Sequence, residues 1–388
     1  MSEVVNDGVL DEIMSGMEED AKDITSAARD YEEDNSDVVV SDSAEDLLPP
    51  LEGDREVLVS TLLGVSSEEL PARDFGMPVF DESSCPEQLA PYLVDVDREN
   101  LCSYQPDIKA GYRVCLGLRY NLPQLLTGVK GVGKTSLVYW IGSNLRWPVV
   151  NIVGHAQLGT DELFGQVRLI SDEDKNSVTV FDKGLFTLGV EYGAVVLFDE
   201  VFQTPSTVLS SCNSVLEKGG NLPLPSLYGD NKVIDKHRHC RFVFTSNSRG
   251  GGDLSGKYVG EEVINSATLD RIQMVTEVTQ MPPTRKKAVL KNRLKRDDGT
   301  CRVSQKELTQ FVSIAEGINE AFGCGQLNDT MSMRGLISFA ELAVITGDKA
   351  LAFKMTVMDK VDDPQERSVL EGIAKTRGGD EMMRQFSQ

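Results

Sequence analysis

Apolar residues recur along most of this chain with one of two periods. Gln124 to Thr127, Pro148 to Val153, Ala194 to Phe198 and Arg241 to Thr245 are short β-branched or continuously apolar runs, the pattern of strands buried on both faces. Ser136 to Leu145 and similar stretches between them are helical in period. Such alternation predicts an α/β fold, a parallel sheet between helices. Beyond about Pro283 the strand pattern stops. Ser304-Gln-Lys-Glu307 reads as a capping box, opening a helix whose Leu308, Phe311, Ile314, Ala315 and Ile318 share one face. Asp363-Pro364 marks a further helix start. A helical domain over residues 283–388 is therefore expected after a core over 121–282.

The beginning of the chain follows neither period. From Met1 to about Leu70 it is acidic, poor in aromatics and broken by Ser and Pro, too polar to offset the entropy of ordering it. The reading is an acidic disordered tail over 1–70 and a leader region over 71–120. Within the tail, Leu10, Ile13, Met14, Met17, Ala21 and Ile24 fall on one helical face, which fits either a transient helix or one that docks in a partner's groove.

Charge sharpens this division. The net charge is -22, and residues 1 to 56 hold 19 acids against 3 bases, leaving about -6 for the other 332 residues. Phosphate contacts require clustered Lys and Arg, and even outside the tail the balance is slightly negative, which argues against a nucleic-acid motor or loader. No window approaches the roughly 18 to 20 apolar residues of a membrane span, and the acidic start is no signal peptide, so a cytoplasmic protein is expected. Seven cysteines, an odd number with no C-x-x-C pair, read as buried reduced thiols. His237-Arg238-His239-Cys240 contains metal-ligand types, but on a strand alternate residues point to opposite faces, so no metal is assigned there.

Three segments carry chemistry. Gly128-Val-Lys-Gly131-Val132-Gly133-Lys134-Thr135 fits G-x-x-x-x-G-K-[ST] in full, between a predicted strand and a helix continuing through Ser136. Its backbone amides can wrap a β-phosphate, Lys134 can reach the β- and γ-phosphates, and Thr135 can ligate Mg²⁺, so ATP and Mg²⁺ are expected. Ala194 to Phe198 delivers Asp199 and Glu200 to a strand end, Asp199 beside the metal and Glu200 placed as general base. The next apolar strand ends Phe244-Thr-Ser-Asn247, and Asn247 is assigned to orient water against the γ-phosphate.

With these in place, the sequence resembles the MoxR branch of AAA+ ATPases, and within it the CobS-type AAA+ subunit of aerobic cobaltochelatase, relatives of which also occur in bacteriophages. The stretch Gly250-Gly-Gly-Asp-Leu-Ser-Gly-Lys-Tyr-Val-Gly260, then Ile264-Asn265 and Asp270-Arg271, is similar to that family's G-x-G-D-x-x-G-x-Y-x-G, I-N and D-R. PARDFG at 71 to 76, FDKGLF at 181 to 186, NKVIDKH at 231 to 237, Ser332-Met-Arg334 and LAFKMTVMDK at 351 to 360 extend the resemblance to nearly everything after residue 71. It departs from the family at the phosphate loop, GVKGVGKT here against a His-Gly-Thr-Gly-Lys-Ser form.

The resemblance implies an AAA+ core with a helical lid, an arginine finger at Arg271 that completes a neighbour's site, and a sensor 2 arginine at Arg334. It implies pore-lining hairpins at Gly165–Ile170 with Val178–Phe181 and at Asn221–Lys236. It further implies a homo-oligomer, expected as a hexameric ring, and a protein client with a von Willebrand-type adaptor. Three functions follow as expectations: a ring-forming motor that hydrolyses MgATP to remodel a protein, the motor subunit of a cobaltochelatase-type metal-insertion complex, or a nucleotide-gated scaffold with negligible turnover. Intact Glu200 and Arg271 argue against the last.

Overall fold

The computed structural model of the chain describes residues 53, 55–96, 101, 104–171, 177–224, 233–248, 265–296, 299–379, 382 and 386. The amphipathic segment 10–24, Cys102, the hairpin tip 172–176, residues 225–232 and the signature 250–260 with Ile264 lie outside them. All described residues belong to one compact unit, Leu51–Gln388.

The unit begins earlier than the sequence reading placed it. β1 (Arg55–Leu58), α1 (Val59–Leu63) and β2 (Gly76–Val79) form a small layer in which β1 pairs antiparallel with β2. Val59 and Met77 are fully buried and Leu63 nearly so, in one cluster with Leu137 and Ile141. Ser60 Oγ donates to Asp74 at 2.5 Å. Residues 55–70 are thus core and not tail. The charges at Glu56, Glu68 and Glu69 conceal two short apolar runs whose burial comes from distant partners. In the leader, α2 (Ile108–Arg119) starts at Asp107, whose side chain accepts from the Ala110 amide.

The central layer follows. β3 (Gln124–Thr127), α3 (Lys134–Leu145), β4 (Val149–Val153) and α4 (Thr160–Phe164) lead to a protruding hairpin of β5 (Gly165–Ser171) and β6 (Ser177–Lys183). Then come α5 (Leu185–Tyr192), β7 (Val195–Asp199), α6 (Ser206–Ser211), α7 (Asn213–Leu216), and a two-residue pair of β8 (Leu222–Pro223) with β9 (Val233–Ile234). β10 (Arg241–Ser246), α8 (Ser266–Arg271) and β11 (Met274–Glu277) complete the core. Five strands form one parallel sheet in the order β11-β3-β10-β7-β4. Phe198, Leu197, Val196, Leu125 and Leu126 are buried completely or almost so, as strands covered on both faces must be.

Helices α9 (Pro283–Arg293), α10 (Gln305–Gly323), α11 (Met333–Thr346), α12 (Lys349–Thr356) and α13 (Pro364–Arg377) form the helical part, with its own core around Phe311, Phe339 and Phe353. The capping box at Ser304 and Glu307 is closed in both directions, the Ser304 amide donating to Glu307 Oε2 at 2.8 Å. Asp363 caps α13 through the Gln365 amide at 2.8 Å. Cys115, Cys212 and Cys240 are buried, and burial pushes the Cys115 and Cys240 thiols up to about 12. Cys324 is exposed, against the expectation for the cysteines.

Candidate active site

The strands of a parallel sheet end on one edge, and there the chemistry-bearing residues meet. β3 ends at Thr127, and the chain turns through residues 128–133 into α3. Gly128, Gly131 and Gly133 have φ of +148°, +77° and +97°, values that a side chain resists. Two are also crowded. A Cβ on Gly128 would lie 2.3 Å from the Val278 carbonyl oxygen, and one on Gly131 would lie 2.2 Å from Ser332 Cβ. The loop therefore presents bare backbone, and the amides of Lys134, Thr135 and Ser136, first in α3, have no intrahelical acceptor. This is an anion cradle at a helix N-terminus.

Lys134 is buried, and its amine donates to the Gly128 carbonyl at 2.7 Å, to Asn247 Oδ1 at 2.9 Å and to the Val129 carbonyl at 3.4 Å. Thr135 Oγ1 donates to Asp199 Oδ2 at 2.9 Å. Asn247, the residue after β10, is held against the loop by Lys134. Sheet order explains the convergence: β10 lies between β3 and β7, so its end sits between the phosphate loop and Asp199. Two hard oxygens at this edge, a threonine hydroxyl and a carboxylate, suit Mg²⁺, which prefers oxygen ligands.

Thr245 was not singled out by sequence reasoning. Register pairs Phe244 with Phe198, so Thr245 stands beside Asp199. Its hydroxyl donates to Asp199 Oδ1 and accepts from the Glu200 amide, the latter at 3.1 Å. One hydroxyl thus ties both acids to the neighbouring strand. The available signal was a hydroxyl in an otherwise apolar run, one residue beyond the level of Phe198. Glu200 has φ of +52°, a left-handed conformation that costs a non-glycine residue about 1–2 kcal/mol, and its carboxylate accepts from Gln203 Nε2 at 2.6 Å. Gln203 was likewise unforeseen.

Beside the loop, Tyr104, Val132, Leu137, Val278, Pro282 and Arg285 line a narrow crevice. The Tyr104 hydroxyl donates to the Gly133 carbonyl at 3.4 Å, and burial raises its pKa. Arg334 is exposed on the first turn of α11, whose cap Ser332 is the residue that abuts Gly131. The helical part therefore reaches the phosphate loop.

Arg271 is not with the others. It ends α8, and the next residues run into β11, the Gln273 amide donating to the Pro123 carbonyl at 2.9 Å before Met274 pairs with Gln124. Arg271 thus flanks the start of β3, whereas the phosphate loop follows its end. Its guanidinium bonds Glu217 and the Ala267 carbonyl.

The histidine cluster also differs from its sequence reading. His237 to Cys240 form a turn before β10 and not a strand. The His239 amide donates to His237 Nδ1 at 3.1 Å, and the two rings stand edge-on with centroids 5.0 Å apart. Burial first, then His237, Arg238 and Arg241, holds the His239 imidazole down to about 4.

Comparison of the sequence with protein families and curated relatives agrees with this geometry. A family model described as "AAA domain (dynein-related subfamily)" matches residues 123–272. The aerobic cobaltochelatase subunit CobS of Sinorhizobium sp is 28% identical over 287 residues, 74% of this chain and 83% of that one. The gas vesicle ATPase GvpN1 of Halobacterium salinarum is 32% identical over 163 residues, 39% of this chain and 45% of that one. Among solved structures, the Hsp104-ADP complex of S. cerevisiae is similar at 17% identity and a TM-score of 0.43, over 73% of this chain and 51% of that one. With the parallel sheet, the glycine loop and the acids at the adjacent strand end, the chain carries an AAA domain over residues 123–272 and is an ATPase.

Proposed function

We propose that this chain assembles into a ring, expected to be hexameric, and hydrolyses MgATP in the cytoplasm to remodel a protein partner, as a MoxR-type motor. The observation that carries the ring is the placement of Arg271. It lies at the start of β3 and the phosphate loop at its end, four strand residues apart, or roughly 13 Å at about 3.3 Å per residue. An arginine so placed serves a second copy more readily than its own site.

Within each site the roles follow from position. Lys134 and the first amides of α3 bind the phosphates of ATP. Thr135 and Asp199 would hold Mg²⁺, which supplies charge neutralisation between the phosphates. Glu200 accepts the proton of the attacking water, fixed in direction by Gln203 and by its own left-handed backbone. Asn247, already at Lys134, orients that water. Arg334 approaches from the helical part, and Arg271 from a neighbour supports the charge that develops on the transferred phosphoryl group. Contact with a protein partner falls to the β5–β6 hairpin, where Leu169 is 75% exposed and Val167 and Val180 are also exposed. Apolar side chains displayed on a protruding hairpin suit a polypeptide client.

A second reading has its own support. The similarity to CobS runs over 83% of that protein, which favours a motor subunit of a metal-insertion complex, acting with a von Willebrand-type adaptor on a separate chelatase. The ring reading is tested by mixing. Arg271→Ala and Glu200→Gln should each lack turnover as pure assemblies. Mixed, a site with Glu200 from one subunit and Arg271 from its neighbour is complete, and part of the activity should return. A mixture shown to co-assemble yet as inactive as its parents would remove the support for an arginine acting between subunits. Capture of a bound protein partner then separates the two clients.

A further inference from the structure

The way Arg271 is held carries a further step. A guanidinium offers two forked edges, a side-on edge of Nε and Nη2 and an end-on edge of Nη1 and Nη2. Glu217 takes the side-on edge: Nε and Nη2 of Arg271 both donate to Glu217 Oε1, at 3.0 and 2.6 Å. One N–H of Nη1 donates to the Ala267 carbonyl at 2.6 Å. The other N–H of Nη1 and one of Nη2 are left without a partner among the described residues. A fork of this kind matches two oxygens of a phosphate.

Glu217 is itself fixed. Its carbonyl accepts from Lys236 Nζ at 2.8 Å, the same amine donates to the Val215 carbonyl at 2.9 Å, and the ammonium stands 5.9 Å over the Phe242 ring of β10. A tight turn closes behind it, the Gly220 amide donating to the Glu217 carbonyl at 3.1 Å. Glu217 is therefore tied through Lys236 to the end of α7, and Lys236 packs over the central sheet. The ion pair is half-exposed, with Arg271 at 28% and Glu217 at 55%, and pairs so exposed add little to folding stability. Stability does not account for a residue whose backbone is anchored this firmly behind one edge of one arginine.

We propose that Glu217 is a positioning residue for the arginine finger: it clamps the side-on edge of Arg271 so that the end-on edge faces a phosphate in the neighbouring subunit. The inference rests on the ring reading above. An arginine without its clamp samples many rotamers, and a misplacement of about 1 Å costs roughly a hundredfold in rate.

The test uses the full chain. Glu217→Ala and Glu217→Gln should lower kcat roughly a hundredfold, with KM for ATP and melting temperature unchanged. Two further results separate positioning from a structural role. Glu217→Ala subunits mixed with Glu200→Gln subunits should regain turnover, since intact Glu200 and a clamped Arg271 then meet between subunits. The Arg271→Ala, Glu217→Ala double variant should be no slower than Arg271→Ala alone. Wild-type or faster turnover by Glu217→Ala, in a protein that Arg271→Ala inactivates, overturns the clamp and leaves the finger standing. Additive losses in the double variant also overturn it. Wild-type turnover by Arg271→Ala removes the finger itself, and the clamp with it.

Discussion

Lys134 Nζ lies 2.9 Å from Asn247 Oδ1, although 113 residues separate them in sequence. The contact joins the residue proposed to hold phosphate to the one proposed to orient water, so the two should fail differently. Lys134→Ala removes the point charge in the loop and should abolish ATP binding. Asn247→Ala should still bind ATP within a few-fold of wild type while turnover falls by roughly a hundredfold, the loss that one oriented polar group commonly represents. Equilibrium binding beside steady-state ATPase distinguishes them. Equal loss of binding in both variants would contradict the separate roles.

Thr245 ties Asp199 and Glu200 to β10. Thr245→Val keeps shape and volume but leaves the Glu200 amide without its acceptor, a cost of about 1–3 kcal/mol for a buried donor. Turnover should fall at least tenfold, and the Mg²⁺ concentration for half-maximal activity should rise. A Mg²⁺ titration of the variant reads both, and an unchanged titration would show that Asp199 does not depend on this hydroxyl.

Gly131 faces Ser332 with no room between them, a Cβ there standing 2.2 Å from Ser332 Cβ. Gly131→Ala should displace the start of α11 and strain a backbone of positive φ, weakening ATP affinity by tenfold or more. Gly131→Ala with Ser332→Gly relieves the 2.2 Å clash and leaves the φ strain and a 3.1 Å approach to the Cα of residue 332, at only about a few tenths of a kcal/mol for the changed helix cap. Partial recovery of affinity in the double variant identifies the contact as the cause.

His239 titrates in the folded chain near 4, below the usual 6.5. Between these values the unfolded chain binds a proton that the folded chain refuses. The stabilisation is complete above about 6.5 and is lost as pH falls towards 4. The ring is partly solvated, so the effect is discounted to on the order of 1 kcal/mol. Denaturant unfolding at pH 7 and pH 5 should show a smaller acid loss for His239→Phe than for wild type, and identical losses would exclude this histidine.

Truncation tests the revised boundary. A chain starting at residue 71 lacks Val59 and Leu63, which are buried against Leu137 and Ile141. Each such side chain contributes about 1.5–3 kcal/mol. It should melt well below a chain starting at residue 53, and coincident melting curves would restore the longer tail.

The elements legible in the sequence were those whose signal is local. The phosphate loop, the apolar run ending at Asp199 and the capping box at Ser304 each declare themselves within ten residues, and the structure has the expected strand or helix at each place. What escaped depends on strand register, turn geometry and partners distant in sequence. Thr245 acquires its place through the register of β10 on β7, and Gln203 through the turn that follows Glu200. Val59 and Leu63 sit among acids, and a window average reads them as polar. His237 to Cys240 form a turn closed by the Cys240 amide on the His237 carbonyl and docked by the His237 amide on the Val190 carbonyl, a contact that no strand pattern encodes.

Arg271 and the phosphate loop flank opposite ends of β3. In the ring proposed above the contact joins them head to tail, so the operator is a rotation applied in one direction, and each added copy leaves one unmet arginine and one unmet loop. In that arrangement only closure removes both, and a linear stack of any length keeps one deficient site.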